Sequence, residues 1–95
     1  MSVFIHASAE YLPQRVVDNE YFSELTGRPT AWFEQLTGIR ERRRAAAGEN
    51  ANTMSIAAVE NLVREAPGCL DGVDLIIGAS YTPWDTIGTI AHVIQ

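Results

Sequence analysis

Lysine is absent from this chain: all seven basic residues are arginines, set against twelve acidic residues for a net charge of −5. The arginine usage reads as codon bias, and the acidic balance argues against a general nucleic-acid binder. A single cysteine, Cys69, excludes an internal disulfide and any cysteine-rich metal site, in keeping with a reducing, cytoplasmic compartment. No apolar run approaches the length of a membrane span, and Met1-Ser2-Val3-Phe4-Ile5-His6 lacks a basic region followed by a long apolar one. Repeats, low-complexity tracts and Pro/Gly/Ser linkers are missing too, so disorder is not expected. The 95 residues allow one small domain at most, and such a chain hides little more than ~60% of its unfolded surface.

What is present is organised around Leu36-Thr37-Gly38-Ile39-Arg40-Glu41-Arg42-Arg43. Here a short amphipathic helix carrying Trp32 stops and turns into an arginine-rich segment. Gly38 suits the left-handed residue that ends a helix, because without a Cβ it reaches positive φ cheaply. Arg40, Arg42, Arg43 and Arg44 cannot all be buried without partners, so this segment must lie at a surface or against acceptors. A solvated or internally paired charge run is favoured over a docking patch.

In chain order, residues 2–9 read as a strand of low polarity, ended where Pro13 forces Leu12 out of helical dihedrals. Asp18 or Asn19 can cap a helix with Tyr21, Phe22 and Leu25 on its apolar side and Gly27 as its stop. Thr30 is placed as the cap of the next helix, over 31–36. Residues 48–52 form a loop, and Asn52 or Thr53 is expected to cap the strongest helix. There Met54, Ala58, Leu62 and Ala66 recur every four residues beside Val59 and Val63. Pro67-Gly68 ends that helix. The apolar run 74–80 then reads as a strand covered on both faces, followed by a loop at 81–86 and a helix bearing Ile87, Ile90, Ala91 and Ile94. Strand, helices and strand in that order imply a parallel βαβ crossover in an α/β fold, incomplete on its own because two strands leave long edges unpaired.

Tyr11-Leu12-Pro13-x-x-Val16-Val17-x-Asn19, Trp32, Thr37-Gly38-Ile39-Arg40-Glu41-Arg42, Asp74-Leu75-Ile76-Ile77-Gly78-Ala79 and Ala91-x-x-Ile94-Gln95 are specific as an ordered set. Together they resemble the N-terminal part of β-ketoacyl-acyl-carrier-protein synthase III, in the thiolase-like superfamily, over essentially all of residues 1–95. The resemblance implies a parent acyltransferase that joins an acyl thioester to malonyl-acyl carrier protein by decarboxylative Claisen condensation. It implies a soluble homodimer in fatty acid or polyketide-type biosynthesis, acyl-CoA or acyl-carrier protein as substrate, and no cofactor or metal. The family's catalytic cysteine, histidine and asparagine are expected beyond residue 95, leaving no catalytic residue here. Cys69 has no histidine neighbour or helix start to activate it, and His6 and His92 fit no metal-ligand spacing.

By the same resemblance Trp32 would stack on the adenine of coenzyme A, with Thr37 at the same end of the substrate. The family's arginine before Thr-Gly-Ile is Leu36 here, which removes a fixed phosphate partner. Arg28 stands as its replacement, unless the donor arrives on a carrier protein. Thr86 and Ile87 fall in the loop that crosses the dimer interface and closes the partner's acyl pocket. Residues 81–86 also resemble a variant of synthases that join two acyl chains, as in dialkylresorcinol or aryl-polyene pathways. The alternatives are an acyltransferase of the same fold, or a non-catalytic fragment or partner subunit.

Overall fold

The computed structural model describes residues 1–83 and 90–95. It divides into two compact units, Pro13–Gly48 and Met1–Leu12 with Glu49–Gln95.

In the unit Pro13–Gly48 a helical hairpin is set between two short strands: β1 (Arg15–Asp18), α1 (Asn19–Thr26), α2 (Thr30–Thr37) and β2 (Glu41–Arg44). The Asp18 carboxylate accepts the Tyr21 N–H at 3.3 Å, capping α1. Gly27 ends α1 and Gly38 ends α2, both left-handed, at φ 72° and 68°. The chain enters α2 through Pro29, which has no side chain able to cap. Thr30 is therefore the first helical residue and not the cap expected of it, because the proline's fixed φ already starts the turn.

The strands pair antiparallel, with Val17 opposite Arg42 and Asp18 opposite Glu41. Like charges oppose at Asp18/Glu41 and at Arg15/Arg44, an arrangement that weakens a ladder. The arginines of β2 are instead drawn to acceptors elsewhere in the unit: Arg43 Nη1 donates to the Pro13 carbonyl at 3.0 Å and Arg44 Nη1 to the Tyr21 hydroxyl at 3.3 Å. Val17 is the one buried large apolar side chain among the described residues.

In the other unit, α3 (Ala51–Glu65) begins with a reciprocal cap. Asn50 Oδ1 accepts the N–H of Asn52 and of Thr53, while Thr53 Oγ1 accepts the N–H of Asn50. The cap thus sits two residues ahead of Asn52, the first of the two expected, because Asn50-x-x-Thr53 satisfies three amides where Asn52 or Thr53 would satisfy fewer. Asn61 Nδ2 donates to the Glu10 carbonyl at 2.9 Å, and the Tyr11 hydroxyl donates to Glu49. Both contacts tie the N-terminal residues to α3 and the loop before it. α4 (Ile90–Ile94) packs against α3. Gly78 lies so close to α4 that a Cβ there would meet the Ala91 nitrogen at 2.8 Å. Backbone in that position cannot yield, so the site requires glycine.

Residues 2–9 and 74–80 form no strand, and no parallel pair occurs among the described residues. Phe4 and Ile77 are 78% and 86% exposed. Pairing is a property of two strands, and an apolar run meant for cover on both faces stays unpaired where the described residues bring it no neighbour.

Candidate functional site

Four aromatic rings form a continuous row across α1 and α2. Tyr21 meets Phe22 edge-on at 5.1 Å, Phe22 meets Phe33 at 6.2 Å, and Phe33 meets Trp32 edge-on at 5.0 Å. Contacts of this kind contribute about 0.5–1.5 kcal/mol each beyond burial, so the row fixes the Trp32 indole from behind. An arginine lies over each of two rings: Arg42 over Phe22 at 4.5 Å and Arg28 over Trp32 at 5.1 Å.

The Arg42 guanidinium is half-buried and fully directed. Its Nη2 donates to Asn19 Oδ1 at 3.0 Å, and Asn19 Nδ2 in turn donates to the Ile39 carbonyl at 2.9 Å. Asn19, only 7% exposed, thereby joins the start of α1, the corner after Gly38 and strand β2. This knot was not foreseen from the sequence, where Asn19 stood as a cap candidate. The available signal was a polar residue on the inner side of a helix start with a glycine corner downstream to receive it.

Arg28 is exposed and different in kind. Among the described residues it makes no side-chain hydrogen bond and no ion pair. Its backbone is nonetheless fixed. Gly27 before it is left-handed, Pro29 after it restricts its dihedrals, and its N–H donates to Thr26 Oγ1 at 3.3 Å. The side chain is thus laid on an indole that is itself 38% exposed. A cation over an exposed ring is held by only about 0.5–1 kcal/mol, weak enough for a ligand to exchange.

Of the residues expected at one site, Arg28 and Trp32 come together. Leu36, one helical turn beyond Trp32 and so on nearly the same face, is 64% exposed and offers no charge there. Thr37 is five residues from Trp32, roughly 140° around the helix. Its hydroxyl donates to the Phe33 carbonyl at 2.6 Å and accepts the Ile39 N–H at 3.0 Å. Its one proton is committed to the corner, so donating to a ligand would break that bond. Arg40 is paired with Glu34 at 2.7 Å, and that carboxylate raises the guanidinium's pKa further by hydrogen bonding and by charge. Both groups are largely exposed, and the pair adds little stability. Thr86 and Ile87, with Trp84 and Asp85 of the same loop, lie outside the described residues.

Cys69 is half-buried, with Sγ 3.9 Å from the Leu62 carbonyl. Among the described residues no cluster of His, Cys, Asp and Glu could hold a metal ion, and no helix is long and apolar enough to cross a membrane. An open groove of about 880 Å³ between α3 and α4 is lined chiefly by aliphatic side chains such as Val59, Leu70, Val73, Ile76 and Ile94.

No family model matches the chain. It is similar to β-ketoacyl-acyl-carrier-protein synthase III of Deinococcus deserti, 42% identical over 83 residues, covering 87% of this chain and 24% of that protein. It is similar also to the protein of the same name from Hyphomonas neptunium, 34% identical over 92 residues, covering 97% and 28%. Among solved structures it superposes on the synthase III of Thermus thermophilus with a TM-score of 0.88 and 38% identity, over 98% of this chain and 29% of that one. The chain therefore spans about a quarter of the length of these curated relatives, and over that part it has the fold of the Thermus thermophilus synthase III.

Proposed function

We propose that this chain, the N-terminal segment of a β-ketoacyl-acyl-carrier-protein synthase III fold, contributes the coenzyme A end of the acyl-donor site to a condensing enzyme. The reaction is acyl transfer from a thioester to a cysteine thiolate, with the carrier thiol leaving. Malonyl-acyl carrier protein then loses CO2, and the resulting carbanion attacks the acyl-enzyme to give a β-ketoacyl product and release the cysteine. The observation that carries this reading is the Trp32 platform. An indole held edge-on by Phe33 and open on the surface suits a flat base, with Arg28 beside it for the attached phosphates. The agreement in sequence and fold with proteins named for this reaction supports it. Fatty-acid-type biosynthesis, a homodimeric enzyme and a cytoplasmic location belong to the same reading. In this reading Cys69 is not the nucleophile: it sits beyond the end of α3, and its thiol has the Leu62 backbone carbonyl as its one polar contact among the described residues.

The test is to incubate the whole native polypeptide with an acyl-CoA and malonyl-acyl carrier protein and follow CO2 release and the β-ketoacyl product by mass spectrometry. Product is expected, and Cys69→Ser should retain it. Trp32→Ala should raise KM for acyl-CoA about tenfold with kcat little changed, the signature of lost uniform binding. Acyl transfer to an alcohol or amine without CO2 release would assign the chain to a non-decarboxylating acyltransferase instead.

A further inference from the structure

We propose that the bond between Asp71 and Gly72 is a site of spontaneous backbone modification, where the Asp71 side chain cyclises onto the Gly72 amide and reopens as an isoaspartyl link. It is independent of the condensing reaction.

Asp71-Gly72 is the one place in the sequence where glycine follows an aspartate or an asparagine. Beyond α3 the chain runs through successive turns, in which the N–H groups of Cys69, Asp71 and Val73 donate to the carbonyls of Ala66, Gly68 and Leu70, each at 3.1 Å. The Gly72 N–H, between the last two donors, is bonded to nothing among the described residues. Gly72 has φ 79° while Asp71 keeps a negative φ, so the turn from Leu70 to Val73 is of type II with glycine where that turn demands it. The Asp71 carboxylate is uncommitted too. It is exposed beside Gly68, with Oδ2 3.4 Å from where a Cβ on that glycine would lie, and makes no hydrogen bond or ion pair among the described residues.

The comparable side chains are tied or shielded. Asp18 Oδ1 accepts the Tyr21 N–H, Asn50 Oδ1 caps α3, and Asn19 and Asn61 donate to the carbonyls of Ile39 and Glu10. Asp74 is followed by Leu75, whose side chain crowds the approach to its own amide. At Asp71 the following residue has no Cβ, and nothing lies within 4 Å of where one would be. Ring closure requires Asp71 to rotate out of its turn, which breaks only the bond from Val73 to Leu70; an exposed turn held by one such bond opens readily. With the carboxyl protonated, the Gly72 nitrogen bonds to Asp71 Cγ as the bond from Cγ to its hydroxyl breaks, and the amide proton leaves with that hydroxyl as water. The product is a succinimide. Water then opens the ring at either carbonyl: at Cγ it restores the aspartate, and at the main-chain carbonyl it leaves the peptide running through the side chain, one carbon longer. That longer link falls between Leu70 and Val73, both of which line the aliphatic groove.

The experiment is to age the whole native polypeptide for weeks at body temperature in mildly acidic buffer made with heavy-oxygen water. The protein is then digested, and the peptide covering 66–73 is followed by reversed-phase chromatography with electron-transfer fragmentation. A form lighter by one water should appear first, followed by a second species of unchanged sequence that carries heavy oxygen and fragments as an isoaspartyl link at 71. The aged protein, and not the fresh, should accept methyl groups from an isoaspartyl methyltransferase. Asp71→Glu should lose the signal, because closure would need a larger ring. Gly72→Ala should reduce it several-fold, because a methyl group crowds the attacking nitrogen. A melting curve for each variant before ageing checks that the fold is retained, and Asp71→Ser serves where glutamate disturbs it.

An isoaspartyl link confined to 71 and absent from Asp71→Glu would uphold the proposal. Equal conversion at Asp18 or Asp74 would overturn it, since neither a free amide nor a following glycine would then be selecting the site. Methyl acceptance that survives in Asp71→Glu would place the link elsewhere and overturn it as well. No conversion at 71 over a period in which the denatured chain converts would mean that the folded turn keeps the side chain from its amide, and the proposal would fall.

Discussion

Arg42 and Arg28 each lie over a ring of the same aromatic row, yet only one of them is finished. Arg42 over Phe22 is half-buried and spends its donors on Asn19 and the Asp18 carbonyl. Arg28 over Trp32 is exposed and holds nothing else among the described residues. The ring contact is of the same type in both places, so the contact does not set the role. What differs is the polar remainder: a guanidinium whose donors are satisfied by its own chain is an element of the fold, and one whose donors are open is available to a ligand.

The most direct way to break that distinction is to remove each arginine from the whole native protein and compare melting temperatures. Arg42→Ala leaves the buried Asn19 carbonyl without its donor, so stability should fall by about 2–3 kcal/mol. Arg28→Ala loses only an exposed ring contact, so the change should stay within about 0.5–1 kcal/mol. Equal losses would mean that both arginines are structural. A double-mutant cycle with Asn19→Leu sharpens the result, because Arg42 and Asn19 should couple by about 0.5–3 kcal/mol whereas Arg28 and Asn19 should add independently.

A smaller effect is expected at the corner that lets Arg42 reach Asn19. Gly38 stands at φ 68° with nothing within 4 Å of where a Cβ would lie. Gly38→Ala therefore meets no clash, and its cost should be the backbone term alone, about 1–2 kcal/mol. Gly38→Asn should cost less, since asparagine tolerates the left-handed region. If alanine were tolerated without loss, the corner would not be what fixes the Asn19 bond to Ile39, and Arg42 would be held by the strand pairing instead.

The pattern of success in reading the sequence follows the same division between local and distant causes. Gly27, Gly38, the Asp18 cap and the helical course of α3 were legible because each depends on residues within a turn of itself, whereas the wide stripe expected to be buried on α3 is not, with Val63 42% exposed. The β1–β2 ladder was not legible. Glu41-Arg42-Arg43-Arg44 has no apolar alternation to mark a strand, and it pairs because Arg42 is drawn to Asn19 and Phe22, both about twenty residues away. The runs 2–9 and 74–80 showed the opposite error: their composition is that of covered strands, but the partners that would pair them are not among the described residues. Trp32 with Arg28 was half legible. Their spacing was visible, while the unsatisfied state of Arg28 appeared only once the partners of the other arginines were known.

The least disruptive test concerns a contact on the finished side of the comparison, in the other unit. The Tyr11 hydroxyl donates to Glu49, and that carboxylate, by the hydrogen bond first and by partial burial and its charge after it, raises the tyrosine above its ordinary 10.0. The folded chain therefore keeps this proton to a higher pH than the unfolded chain does. Its contribution to stability is complete below about pH 10 and declines as pH rises from there through the raised value. Tyr11→Phe removes the contact at every pH, so the melting-temperature gap between wild type and variant should be largest near neutrality and narrow above pH 10. A gap that stays constant through that range would mean the hydroxyl's proton is not what Glu49 holds, and Tyr11 would then act through the packing of its ring.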